Sequence, residues 1–246
     1  MNKWHEDLTN IAYRKSYIDG FEKYCNEVFS EGVYEEYCTV QAGHGYTLKY
    51  RLCTKYVTDI KVKECSEYEL YSPDGRKIFS YNAPESTLHT VTEINGTLYY
   101  IYNDNLYGYN VLQLSDMAEY RYFPKASDSF GAYPVRQDYE ETFIWTEIFY
   151  NPDNHIMAVH GCYWASPYEV MLYHIPDIMK PFDAIGCPRE YSGYQYYDTA
   201  DKEPVIWNGN ELIINYCEAY ADETDFPSGQ LVFTEEEYMK FMYRII

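Results

Sequence analysis

From Tyr37 to Phe233, apolar and polar residues alternate in short runs, the period-two pattern of strands whose successive side chains face opposite ways. Thr39–Gln41, Tyr46–Cys53 and Tyr56–Lys63 read as strands, separated by Gly43-His44-Gly45 and by Thr54-Lys55. Four further stretches share one plan: a strand, a tight Asp/Asn/Gly turn, then an aromatic-rich strand. They are Tyr68–Tyr81 around Ser72-Pro73-Asp74-Gly75, Val91–Tyr102 around Asn95-Gly96, Thr146–His160 around Asn151-Pro152-Asp153-Asn154, and Val205–Tyr216 around Asn208-Gly209. Pro presets φ and Gly supplies a left-handed position in the first turn, and Asn-Gly is a strong hairpin signal in the second. The ends of the chain follow another period. Leu8, Ile11, Ala12, Ile18, Phe21, Cys25, Val28 and Phe29 recur every three or four residues, which predicts an amphipathic helix, bent at Gly20 and stopped near Gly32. Such a helix could cover a sheet edge or the mouth of a barrel or propeller. Thr234-Glu235-Glu236-Glu237 forms a capping box ahead of a short helix that would bury Met239, Met242 and Ile246.

The cassettes repeat beyond their turns. Thr92-Glu93-Ile94 matches Thr146-Glu147-Ile148, and Tyr109–Leu114 matches Tyr168–Tyr173, at offsets of 54 and 59 residues. A recurring supersecondary unit of that size is the mark of a blade-like repeat. The predicted class is therefore all-β: a small or partial β-propeller-like array of antiparallel hairpins, with an N-terminal amphipathic helix and a short C-terminal helix. The predicted organisation is a helical segment over 1–36, the β domain over 37–233 and the closing helix over 234–246. A plain β-meander with similar hairpins is the alternative. Ser115–Tyr139 and Pro176–Pro204 read as long irregular connections, the places where function concentrates in a β scaffold.

Ser72-Pro73-Asp74-Gly75-Arg76-Lys77-Ile78 resembles the Ser-Pro-Asp-Gly turn of WD40-like and TolB-like β-propeller repeats, and Tyr150–Val159 is similar to a variant of it. The resemblance implies that each turn joins two antiparallel strands of one blade. The Gly-His and Trp-Asp pairs that standard WD40 repeats combine do not occur together: Gly43-His44 is present, and no Trp-Asp pair is. About 200 residues of strand sequence suit four or five blades, or an open, partial propeller.

Charge narrows the partners. Thirty-nine acidic and 19 basic residues give a net charge of −20, which disfavours duplex nucleic acid and anionic membranes and permits a basic protein partner. Residues 189–237 hold 12 acids against two bases, half of that net charge. The 32 tyrosines fit half-buried sheets, rings packed and hydroxyls wet, or an aromatic binding surface. Seven cysteines without a Cys-x-x-Cys pair, behind a polar N-terminus, point to a cytoplasmic protein with reduced thiols. Asn95-Gly96-Thr97 then reads as a turn, not a glycosylation site.

The densest segment runs His160-Gly161-Cys162-Tyr163-Trp164-Ala165-Ser166-Pro167-Tyr168-Glu169. Tyr163, Trp164, Tyr168 and Glu169 are the candidate binding residues, a paired-aromatic loop between two strands. A Cys162–His160 nucleophile pair lacks an orienting acid, and His155, His160, Cys162 and His174 follow no zinc spacing. No dinucleotide, phosphate-loop or serine-elbow motif is present, so no catalytic residue, metal ligand or cofactor is assigned. The expected role is non-catalytic binding of a protein partner through aromatic loops and an acidic surface. The alternatives are a carboxylate-dependent hydrolase or carbohydrate-active enzyme, and an acidic decoy that blocks a basic surface.

Overall fold

The computed structural model describes residues 3–4, 22–57, 60–83, 86, 88–104, 109–122, 143–162, 168–180, 182, 184–188, 197–199, 203–218 and 228–242. The chain divides into two compact units, Met1–Ser127 and Asp128–Ile246. Among the described residues each contains two small sheets.

The first sheet holds β2 (Val33–Tyr34), β3 (Cys38–Gly43), β4 (Tyr46–Val57), β5 (Ile60–Tyr71) and β6 (Lys77–Ala83). Both β2 and β3 pair with β4, and the Glu35 N–H donates to the Leu52 carbonyl between them at 2.9 Å, so the two act as one interrupted strand. The second sheet is the meander β7 (His89–Ile94), β8 (Thr97–Tyr102), β9 (Tyr109–Gln113) and β10 (Ala118–Tyr122), with β1 (Lys3–Trp4) added parallel to β10. In the second unit, β11 (Ile144–Asn151), β12 (Ile156–Cys162), β13 (Glu169–His174) and β14 (Ala184–Gly186) form the third sheet. The fourth contains β15 (Tyr197–Thr199) and β16 (Val205–Asn208), both paired with β17 (Glu211–Glu218), and β18 (Ser228–Phe233) on the other side of β17.

Every predicted cassette is a hairpin, and each lies in a different sheet: β5–β6, β7–β8, β11–β12 and β16–β17. The all-β class and the propeller-like repetition of small antiparallel sheets therefore stand. Asn95 and Gly96 both adopt positive φ, 51° and 76°, as a two-residue type I′ turn requires. The fourth turn shifts by one residue: Asn208 pairs with Glu211, so the loop is Gly209-Asn210, with Gly209 at φ 58°.

Several boundaries differ from the sequence reading, and the strand read over Tyr56–Lys63 is divided between the antiparallel β4 and β5. Thr54-Lys55 is not a turn, because β4 continues through it with a register shift after Lys55. Thr54 is buried and donates to Glu64 at 3.2 Å across the sheet, and Lys55 is paired at 2.7 Å with Glu27 and Glu31 of the helix that precedes the sheet, so both polar residues are satisfied. The segment read as a loop from Ser115 contains β10; its buried Glu119 accepts a hydrogen bond from the Tyr102 hydroxyl. The irregular stretch Pro176–Pro204 contains the short strands β14 and β15.

Tyrosine builds the core of the first unit instead of lining half-wet faces. Tyr100 and Tyr102 are fully buried, and Tyr68 and Tyr81 are nearly so, between the two sheets with Leu48, Leu70, Val91 and Leu112. Tyr68 stacks on Tyr81 with ring centres 4.7 Å apart, and Tyr100 on Tyr102 at 5.2 Å. The Tyr81 and Tyr100 hydroxyls meet at 3.2 Å, satisfying polar atoms that burial would otherwise strand.

Helix α1 (22–31) ends at Gly32, as predicted; the earlier part of the predicted helix lies outside the described residues. It packs on a face of the first sheet, with Cys25 and Val28 against Cys53 and Cys65. Glu27 anchors it through Lys55 and Lys63, both at 2.7 Å. A Cβ at Gly32 would lie 2.5 Å from Cys53 Sγ and 2.6 Å from the Val28 carbonyl, so only glycine permits this approach.

Helix α2 (Glu235–Met242) begins at the predicted cap: the Thr234 N–H and hydroxyl both donate to the Glu237 carboxylate, at 2.8 and 2.9 Å. Its buried anchor is Tyr238, while Met239 is half-buried; Ile246 lies outside the described residues. The Tyr238 hydroxyl donates to the Asn210 carbonyl at 2.8 Å and accepts from Asn154 Nδ2 at 2.7 Å, joining the helix to the third and fourth hairpins. Those hairpins are also linked directly, by Trp207 Nε1 to the Phe149 carbonyl and Asn151 Nδ2 to the Gly209 carbonyl, both 2.9 Å. Among the described residues no helix is long and apolar enough to cross a membrane.

Candidate functional site

The candidate segment joins β12 to β13. Tyr163 and Trp164 lie outside the described residues. Tyr168 and Glu169 are described, and they diverge. β12 and β13 pair with His160 opposite Val170 and Gly161 opposite Glu169, so adjacent residues of β13 alternate between the sheet's two faces.

Tyr168 is 41% exposed, and its ring stacks on His160 with centroids 5.0 Å apart and planes 29° from parallel. His160 itself is buried. The Thr146 hydroxyl donates to the His160 carbonyl at 2.9 Å and lies 3.3 Å from Nδ1. Because its proton is already given to the carbonyl, the hydroxyl is placed to accept from Nδ1–H.

The local sequence explains this placement. Trp145 pairs with Gly161 and Glu147 with His160, leaving Thr146 as the extra residue of a bulge. Gly161 allows the close approach: a Cβ there would come within 2.0 Å of the Ile144 carbonyl. Glu147 is the register partner of His160. Partial burial raises its carboxyl above the ordinary range, although more than a third of the residue's surface stays exposed.

Glu169 does not join the aromatic patch. It is buried and accepts a hydrogen bond from the Cys187 thiol at 3.0 Å. Cys162, half-buried at the end of β12, pairs with Ile144 of β11, and His160 is held by Thr146. His155 instead meets the Tyr150 hydroxyl at 3.0 Å, and His174 pairs with Ile156 across β13 and β12. Among the described residues no group of three or more His, Cys, Asp and Glu side chains is gathered to hold a metal ion.

Sequence reasoning missed a polar row inside the first unit. His89, Tyr102 and Asn110 are register partners across β7, β8 and β9, and the Tyr102 hydroxyl reaches Glu119 on β10. His89 Nδ1 and Asn110 Nδ2 are buried without a hydrogen-bond partner among the described residues. Burial lowers the His89 pKa and favours a neutral ring. The signal available was the set of polar positions on strands otherwise filled by tyrosine and aliphatic residues.

No protein-family model matches the chain, and no curated protein matches it. Among solved structures, a crystal structure of the GH43 protein BlXynB from Bacillus licheniformis aligns with a TM-score of 0.35 and 8% identity, over 81% of this chain and 41% of that one. The chain thus spans less than half the length of that protein, and a likeness this distant carries no argument about activity.

Proposed function

We propose that this is a non-catalytic binding protein that meets a protein partner at the β12–β13 connection. The observation that carries the reading is the exposed Tyr168 ring held on buried His160, which is fixed in turn by Thr146. A pre-positioned aromatic loses little conformational freedom on contact, which favours recognition. Tyr163 and Trp164 extend the proposed contact along the same connection. The net charge of −20 favours a basic partner. Glu169 supports the sheet through Cys187 and is not proposed as a contact.

Site-specific photocrosslinking tests this reading. A crosslinking amino acid at position 168 should capture a discrete protein adduct in cells, and the same residue at exposed Ser80 should not. The His160→Ala variant, which removes the ring beneath position 168, should weaken the adduct severalfold without loss of the folded state. Equal adduct patterns at 168 and 80 would reject it.

One observation favours the second reading, a carboxylate-dependent hydrolase. Partial burial raises the Glu147 carboxyl, the direction a general acid requires. Glycoside hydrolysis uses two facing carboxyls, and Glu169 engages Cys187. Aryl glycosides incubated with the protein and with Glu147→Gln would separate the readings: turnover lost in the variant would favour hydrolysis.

A further inference from the structure

Three of the cysteines form one buried cluster in the first unit. Cys25 projects from α1, Cys53 from β4 and Cys65 from β5, with exposures of 2%, 0% and 0%. All three are free thiols. Cys53 and Cys65 are register partners across the two strands, so both project from the face on which α1 lies. Their surroundings then distinguish them. The Cys53 thiol donates to the Val28 carbonyl at 3.6 Å, and Cys25 and Cys65 lie in the same buried cluster.

The helix covers the cluster and is held there by polar contacts. Glu27 bridges Lys55 and Lys63, Glu31 pairs with Lys55 at 2.7 Å, and the Glu64 N–H donates to the Tyr24 hydroxyl at 3.2 Å. Gly32 permits the close approach of the helix end to Cys53. A single buried cysteine is an ordinary small core residue. Here α1 and β5, distant in sequence, bring Cys25 and Cys65 into one buried cluster that also holds Cys53.

We propose that Cys25 and Cys65 are a disulfide-forming pair whose oxidation fastens α1 to the first sheet. The oxidant class is a small-molecule disulfide such as oxidised glutathione. Opening of α1 exposes Cys25, whose thiolate attacks the glutathione disulfide, forming a Cys25–glutathione mixed disulfide and releasing one reduced glutathione. Return of the helix brings Cys65 to the Cys25 sulfur. The Cys65 thiolate displaces the second glutathione, and the protein is left with one S–S bond and two fewer hydrogens. The proton from each thiol leaves to solvent and is taken up by the departing glutathione thiolate, so the exchange balances. Burial of the pair makes helix opening the gate, and the Glu27 contacts set how often the gate opens. The bridge would also constrain the chain between positions 25 and 65 in the unfolded state, which raises thermal stability.

The test uses the full chain incubated with oxidised glutathione, followed by thiol blocking and peptide mass mapping. A peptide pair joined through Cys25 and Cys65 is expected, lighter by about 2 Da than the two reduced peptides, together with a raised melting transition. Cys53→Ala should retain the bridge; Cys25→Ala and Cys65→Ala should abolish it. Circular dichroism of each variant separates loss of the partner from loss of the fold. Glu27→Gln, which keeps both thiols and loosens the helix, should speed bridging severalfold. Glutathione adducts confined to Cys38 and Cys162, or a Cys53–Cys65 bridge that persists in Cys25→Ala, would overturn the proposal, as would bridging unaffected by Glu27→Gln.

Discussion

Single residues decide several close approaches in this protein. At Gly161 a methyl group would collide with a backbone carbonyl, an atom that cannot swing aside. Gly161→Ala is expected to cost about 3 kcal/mol, at the upper end of overpacking, and a urea midpoint measures it. Tyr102 presents a different case, since its hydroxyl donates to the buried carboxyl of Glu119. Tyr102→Phe keeps the ring and removes the donor, for an expected loss of about 2 kcal/mol in the same assay. Glu27 provides a pH-dependent test. Hydrogen bonds from Lys55 and Lys63 lower its pKa from 4.5 to about 2. A depressed carboxylate contributes stability above its ordinary pKa and loses it as pH falls through the folded value. The stability of the wild type should therefore fall between about pH 4.5 and pH 2 more steeply than that of Glu27→Gln.

At the level of elements, turn chemistry was the most legible signal. Asn95-Gly96 and Ser72–Gly75 act locally: two positive φ angles in one, and a Ser72 N–H to Arg76 carbonyl bond of 2.9 Å closing the other. Gly96→Ala should cost about 1–2 kcal/mol through the left-handed backbone alone, because nothing lies within 4 Å of the added methyl. Elements fixed by distant partners were hidden. Thr54-Lys55 looks like a break until Glu64, Glu27 and Glu31 are brought alongside it, and β10 looks like loop until Tyr102 reaches Glu119. The candidate site was legible to the same degree. The aromatic of Tyr168 was visible in the sequence, but its support by His160 depends on pairing between β12 and β13. The same pairing sends Glu169 to the opposite face, which a one-residue difference in strand register would reverse.

For the whole molecule, net charge is the dominant long-range term. Thirty-nine acids against 19 bases repel one another, and this repulsion opposes compaction. Raising ionic strength from about 0.01 M to about 0.15 M shortens the screening length from roughly 30 Å to 8 Å. The melting temperature should rise over that interval, as scanning calorimetry would record. The repeating sheets carry a further consequence. Among the described residues, counting β2 and β3 as one strand position and β15 and β16 as another, the four sheets have four, five, four and three positions, with β18 at the rim of the last and Val232 52% exposed. Ser228–Phe233 contains no proline and no lysine, the usual guards of such a rim. The next residues after Thr234 are Glu235, Glu236 and Glu237, so two copies pairing in parallel along β18 would bring these carboxylates together at one end of the ladder. Glu235→Gln, Glu236→Gln and Glu237→Gln together should therefore raise the growth of ordered, parallel aggregates, as dye binding and light scattering would record.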